Sequence, residues 1–132
     1  SNRRRSKHFK PLNVIGMAAH YSPNPSSPDA GIDFPFNLET GEFRWDVWQR
    51  WREWDPVNLV ERHVAALKKA RLVYVDCGTQ DEFSLIWGAR ALSARLRANG
   101  IAVHYEEFDD GHMNIPYRYD VSVPLLARAL SG

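Results

Sequence analysis

The sequence predicts an α/β fold in residues 57–132, and three observations carry that prediction. Two short apolar runs, RLVYVDCG and IAVHYEEF, are typical of buried strands. Between them lies SLIWGARALSARLRANG, which has leucines at helical spacing and ends at Asn99-Gly100, a helix stop. Strand, helix and strand in this order form a βαβ unit, which predicts a parallel pair of strands with a right-handed crossover.

Helices are also predicted on both sides of this unit. PVNLVERHVAALKKA should form the first, with Asp55 as its N-cap and Pro56 at its first helical position. Its apolar face consists of Val57, Val60, Val64 and Leu67. In the middle helix we expect Leu85, Leu92 and Leu96 to point inward. VSVPLLARAL should form a short final helix.

Residues 1–56 are less regular and divide into a basic tail (1–12) and a loop- and Trp-rich segment (13–56). The tail is predicted to be a solvated end or the edge of a cut segment, rather than a binding arm. FKPLNVIGMAAHY could be a helix or a buried strand, and YSPNPSSPDAG is a proline-rich loop. Trp45, Trp48, Trp51 and Trp54 should form a drifting stripe on a short helix, with packing favoured over ligand recognition.

Composition excludes several functions. The net charge of +1 gives no electrostatic reason to expect a nucleic acid or an anionic membrane as partner. Cys77 is the only cysteine, so no intrachain disulfide is possible. The histidines are scattered and no phosphate-binding glycine loop occurs, so we expect neither a metal nor a cofactor. The chain is expected to be soluble, with a cytoplasmic location favoured over a secreted one.

Two polar loops follow the predicted strands. GTQDEF contains Asp81 and DDGHMNI contains His112, and both loops lie past the carboxyl ends of strands, where ligands and catalytic groups collect. A carboxylate that holds one imidazole nitrogen lets the other nitrogen act as a base. Asp81 could equally cap the following helix, and the two roles are compatible. Asp76 is the competing acid, whereas Glu82 is expected to be solvated.

These residues resemble the C-terminal part of α/β-hydrolases of the esterase D-like family. The resemblance is carried by Asp-Glu-Phe after a strand end and by Gly-His-Met after the last strand, and it extends to MAAHYSPNP and WDPVNLVERH. It implies that Asp81 is the acid and His112 the general base of a Ser-Asp-His triad acting on a small-molecule ester. It also implies a lid-like insertion at 13–56, with Trp45, Trp48 and Met113 as candidate substrate contacts.

The chain departs from this family because it has no G-x-S-x-G motif. We therefore expect a C-terminal fragment of a serine esterase, with an incomplete sheet, that is inactive alone. Two other hypotheses stay open. The scaffold could be a non-catalytic module that binds a hydrophobic partner through its Trp-rich segment. The third hypothesis is a hydrolase-like remnant that associates with itself, which can accompany either of the others; the two exposed edges of a two-stranded sheet predict a homo-oligomer or a strand-paired dimer.

Overall fold

The computed structural model describes residues 3–131, and the side chains of residues 11–131. The chain divides into two compact units on either side of the Asp55–Pro56 bond. Within the described residues, no helix combines the length and the apolar character that crossing a membrane requires.

The first unit contains helices α1 (Arg3–Tyr21) and α2 (Trp45–Arg52). The segment for which helix and strand were both open is therefore helical. Between the helices the chain forms turns with two isolated antiparallel bridges, Pro23 to Ile32 and Phe36 to Phe43. A small apolar core holds the unit together, formed by Ala18, Phe34, Val47 and Trp51.

The tryptophans do not all face that core, so the predicted stripe is only partly correct. Trp51 is buried, and its indole Nε1–H donates a hydrogen bond to the Ser22 hydroxyl at 2.7 Å. Trp45 is 67% exposed at the start of α2, and Trp54 is 49% exposed beyond its end. Residues three apart on a helix drift by about 60° per step, so four of them cannot share one face.

The second unit has the predicted order of helices and strands. Helix α3 (Pro56–Leu67) is followed by strand β1 (Tyr74–Gly78), helix α4 (Leu85–Ala98) and strand β2 (His104–Phe108). A 3₁₀ turn (Pro116–Arg118) then leads into helix α5 (Tyr119–Ser131). The two strands pair in parallel, with Tyr74 opposite His104 and Gly78 opposite Phe108. The described part of the chain is thus a mixed α/β fold with an open, two-stranded sheet.

The core of the second unit lies between the sheet and helices α3 and α4. Val60, Leu96 and Ile101 are buried, and apolar side chains of both helices, of β1 and of the residues just before each strand (Val73 and Val103) pack around them. Leu85 was expected to point inward, but it is 49% exposed and Ile86 is buried in its place. Helix α4 begins at Leu85, and its buried positions are Ile86, Ser93 and Leu96, so the first inward position lies one residue later than predicted.

The opposite face of the sheet is polar. Side chains alternate along a strand, so Tyr74 and Asp76 on β1 lie on the same face as His104 and Glu106 on β2. These four side chains are joined by hydrogen bonds to one another and to Arg118. Most parallel sheets are apolar on both faces. This face instead binds Arg118, at the end of the 3₁₀ turn.

Candidate active site

Backbone hydrogen bonds join the two polar loops at the carboxyl ends of the strands. The Thr79 amide donates to the Phe108 carbonyl at 2.8 Å, and the Gln80 amide donates to the Asp110 carbonyl at 3.0 Å. The Gln80 side chain adds a bond to an Asp109 carboxylate oxygen at 2.6 Å. These bonds extend the parallel pairing beyond the sheet, so the loops of Asp81 and His112 run side by side.

Gly78 permits this close approach. A Cβ atom at this position would lie 2.2 Å from the Asp110 carbonyl oxygen and 2.6 Å from that of Gly111. Both atoms belong to the backbone, which cannot rotate away as a flexible side chain would. A residue with a side chain at position 78 would therefore push the His112 loop away from the end of β1.

Asp81 and His112 form a direct pair. The imidazole Nδ1 of His112 lies 2.9 Å from the Oδ2 atom of Asp81. The carboxylate side chain is only 3% exposed, whereas the imidazole is 42% exposed. The acid is therefore enclosed and fixed, and the histidine faces solvent. This pairing agrees with the sequence-based prediction that brings together two residues 31 positions apart.

The second carboxylate oxygen of Asp81 is also occupied. Its Oδ1 atom accepts hydrogen bonds from the amide of Phe83 at 2.8 Å and from the amide of Leu85 at 3.3 Å, at the start of α4. Asp81 thus holds the helix start and the histidine at the same time. Burial raises its pKa, but the hydrogen bonds from His112 and from the two amides outweigh burial and hold the pKa below its usual value.

Two further contacts orient His112. Its backbone amide donates to Oε2 of Glu82 at 2.8 Å, and its ring packs edge-on against Phe83, with the ring centroids 4.9 Å apart. Glu82 is therefore more than the solvated residue expected from the sequence, although it is exposed. The amide hydrogen bond from His112 is the main reason why the pKa of Glu82 is lowered.

With Nδ1 facing a carboxylate, His112 has one nitrogen left for chemistry. Within the part of the chain that the structure describes, no hydrogen bond involves Nε2 of this residue. A carboxylate that accepts the Nδ1 proton selects the tautomer whose Nε2 carries a lone pair. The arrangement can therefore accept a proton from a hydroxyl group placed beside Nε2.

A cleft of about 400 Å³ borders this histidine. Its walls include Met113, Ile115 and Tyr119, and Ser122 also lines it. Ser122 is not hydrogen-bonded to His112 among the described contacts, so it does not complete a triad. Met113 is 62% exposed at the cleft, and its role in substrate binding stays a prediction.

The competing acid, Asp76, has other partners. Its Oδ2 atom accepts hydrogen bonds from Nε of Arg118 at 2.9 Å and from the Tyr74 hydroxyl at 3.0 Å. Trp45 and Trp48 belong to the first unit, and their role as pocket walls also stays a prediction. No group of three or more His, Cys, Asp or Glu side chains that could hold a metal ion occurs among the described residues.

Sequence reasoning missed Gly78 and Arg118. The glycine had a weak signal, because it stands where a strand ends in a polar turn. The arginine had none, since its partners lie 12 to 44 positions away in the chain. No protein-family model matches this chain, and no curated protein matches it either.

Proposed function

We propose that this chain supplies the acid and the general base of a serine hydrolase that cleaves carboxylic esters. In this proposal Asp81 is the acid, His112 is the base, and the nucleophilic serine precedes the chain described here. The fold would then be the C-terminal portion of an α/β-hydrolase. The resemblance of its two loops to esterase D-like proteins supports the ester as the substrate.

One observation carries the proposal. His112 presents a half-exposed imidazole whose Nδ1 lies 2.9 Å from an enclosed carboxylate, and both residues follow the carboxyl ends of neighbouring parallel strands. A helix cap alone would need only the hydrogen bonds that Asp81 accepts from the Phe83 and Leu85 amides. The pairing with His112 adds what proton transfer requires, namely an oriented base with a free nitrogen.

The proposed reaction has two steps. Nε2 of His112 accepts the proton of the external serine as its oxygen attacks the ester carbonyl, and His112 then returns that proton to the leaving alcohol. An acyl-enzyme results. Water then attacks the acyl-enzyme with its proton passing to His112, and the serine leaves with that proton as the acid is released. Asp81 stabilises the imidazolium in both steps, and amides outside this chain hold the oxyanion.

A serine-directed fluorophosphonate probe tests this proposal in the protein extended by the sequence that precedes residue 1. We expect covalent labelling of one serine in a G-x-S-x-G context, and strong loss of labelling in the His112→Ala variant. The matched control is His63→Ala, since His63 is exposed on α3 and contributes nothing to the pair. The chain of 132 residues alone should not be labelled.

Two results would argue against the proposal. One is an extended protein that is folded but unlabelled, which would favour the non-catalytic binding module. The other is labelling that is unaffected by His112→Ala, since the base would then lie elsewhere. The peptide that carries the probe, identified by mass spectrometry, locates the nucleophile directly.

A further inference from the structure

Arg118 connects the far end of the His112 loop to both strands of the sheet. Its Nε atom donates to Asp76 Oδ2 on β1 at 2.9 Å, and its Nη2 atom lies 2.5 Å from Glu106 Oε2 on β2. Nη2 also lies 3.0 Å from the Tyr74 hydroxyl. The guanidinium group stacks over the Phe108 ring at 4.6 Å, and the side chain is 15% exposed.

The partners of Arg118 lie within the sheet itself. Asp76 and Glu106 are directly opposite each other in the parallel register, so one guanidinium group bridges the two strands at one level. Its planar fork suits this geometry, because separate N–H groups can bind separate carboxylates at the same time. The carboxylates hold the pKa of Arg118 above its ordinary value, with the hydrogen bond to Glu106 as the main cause.

The near end of the loop is already fixed at Asp110 through the Gln80 amide. Residues 111–117 extend from that point, and His112 lies among them. Among the described contacts, Arg118 makes the hydrogen bonds that join the far end of this segment to the strands, whereas Tyr117 adds a ring contact with Phe108 and a hydroxyl bond to Asp110. Without the hydrogen bonds of Arg118, the far end would be held only by Tyr117. The imidazole would then be freer to move relative to the carboxylate of Asp81, even with the His112 amide bound to Glu82.

We propose that Arg118 is a positioning residue that fixes the His112 loop on the sheet, so that Nδ1 of His112 stays within hydrogen-bonding distance of Asp81. This inference rests on the proposed function, since it gives Arg118 its role through the same acid–base pair. Arg118 itself touches neither of the two paired residues in the described contacts. It acts through the backbone between positions 112 and 118.

Proton NMR of the 132-residue chain, with ¹⁵N-labelled histidine, tests the inference without any substrate. The observable is the hydrogen-bonded Nδ1 proton of His112, assigned by its absence from His112→Gln. We expect Arg118→Met to lose this resonance to rapid solvent exchange. Arg90→Met is the matched control, because Arg90 binds Glu107 on the same strand through two contacts of 2.7 Å but does not touch the loop.

The outcomes are distinct. A folded Arg118→Met variant that keeps the Nδ1 resonance of His112 overturns the inference and leaves the proposed function intact. If the wild-type chain lacks the resonance, the acid–base pair is absent, and the proposed function fails together with the role of Arg118. If Arg118→Met does not fold, Arg118→Lys decides, since lysine keeps the charge without the fork. A weakened resonance then supports positioning, and an unchanged one overturns it.

Discussion

Gly78→Ala is expected to destabilise the second unit and to separate Asp81 from His112 with one added methyl group. The new Cβ would lie 2.2 Å from the Asp110 carbonyl oxygen, whereas ordinary contacts begin at 3.4 Å. The loop backbone must therefore retreat by roughly 1 Å. The Gln80 amide donates to that same carbonyl at 3.0 Å, so the retreat also stretches this hydrogen bond.

The expected cost follows from three contributions. Overpacking of a close contact costs about 1–3 kcal/mol. Weakening one backbone hydrogen bond adds about 0.5–1.5 kcal/mol. Replacing glycine with alanine in a strand returns about 0.5–1 kcal/mol, because the unfolded chain loses conformational freedom. The free energy of unfolding should therefore fall by about 2 kcal/mol, as the combined effect of these terms.

Urea denaturation followed by far-UV circular dichroism measures this change. Gly88→Ala is the matched control, since nothing lies within 4 Å of the Cβ atom that it would add at the fourth residue of α4. The free energy of unfolding of that variant should rise by about 0.5–1 kcal/mol, because alanine is a better helix former than glycine. Glycine to alanine is thus expected to lower the free energy of unfolding at Gly78 and to raise it at Gly88, within the same unit.

A Gly78→Ala variant as stable as the wild type would refute this reasoning. It would mean that the two loops do not approach each other as closely as the described backbone requires. The placement of Asp81 beside His112 would then lose its structural basis, because Gly78 is the last residue of β1 and leads directly into the loop of Asp81.

Three further predictions concern stability. The pKa of Asp81 is lowered in the fold, so its contribution to the free energy of unfolding is complete above the ordinary carboxyl pKa and is lost as pH falls through the lowered value. Urea titrations at neutral and acidic pH should therefore show that Asp81→Asn loses less stability in acid than the wild type does. Thermal unfolding should show that Ser84→Gly raises the free energy of unfolding by about 1 kcal/mol. Ser84 has a left-handed φ of 59°, which glycine adopts without strain, and its side chain makes no cap bond that would be lost. Trp51→Phe should lower the free energy of unfolding in urea by about 1–3 kcal/mol, because it removes the indole hydrogen bond to Ser22 and part of the core packing. At the exposed Trp45, the same substitution should change it by no more than about 0.5 kcal/mol.

The sequence predicted the βαβ order because local signals in residues 56–108 agree with one another. Apolar spacing, the Asp55-Pro56 helix start and the Asn99-Gly100 stop all indicate the same boundaries, and the structure has α3 beginning at Pro56 and α4 ending at Ala98. The prediction that Leu85 points inward was wrong, because the register of α4 depends on where the turn at Asp81 ends. That turn is set by the hydrogen bonds that the Phe83 and Leu85 amides donate to Asp81, and apolar periodicity does not encode them.

The candidate pair was predictable from loop position, since the carboxyl ends of parallel strands lie at one edge of a sheet. The contacts that hold the pair were not. Gly78 meets the backbone of Asp110, and Arg118 reaches Asp76 across 42 positions, so both depend on the packed structure. The predicted tryptophan stripe is only partly correct for a geometric reason, because four residues at a spacing of three drift too far around a helix to share one face, and Trp45 is left exposed.

The ¹H–¹⁵N NMR spectrum of the His112 imidazole, in the wild type and in Asp81→Asn, tests the central claim most directly. Asp109→Asn is the control, since Asp109 binds Gln80 in the same loops. The acid–base pair predicts a protonated Nδ1 with a hydrogen-bonded proton at neutral pH, lost in Asp81→Asn and kept in Asp109→Asn. An unprotonated Nδ1 in the wild type, or a spectrum that Asp81→Asn leaves unchanged, would contradict the pair.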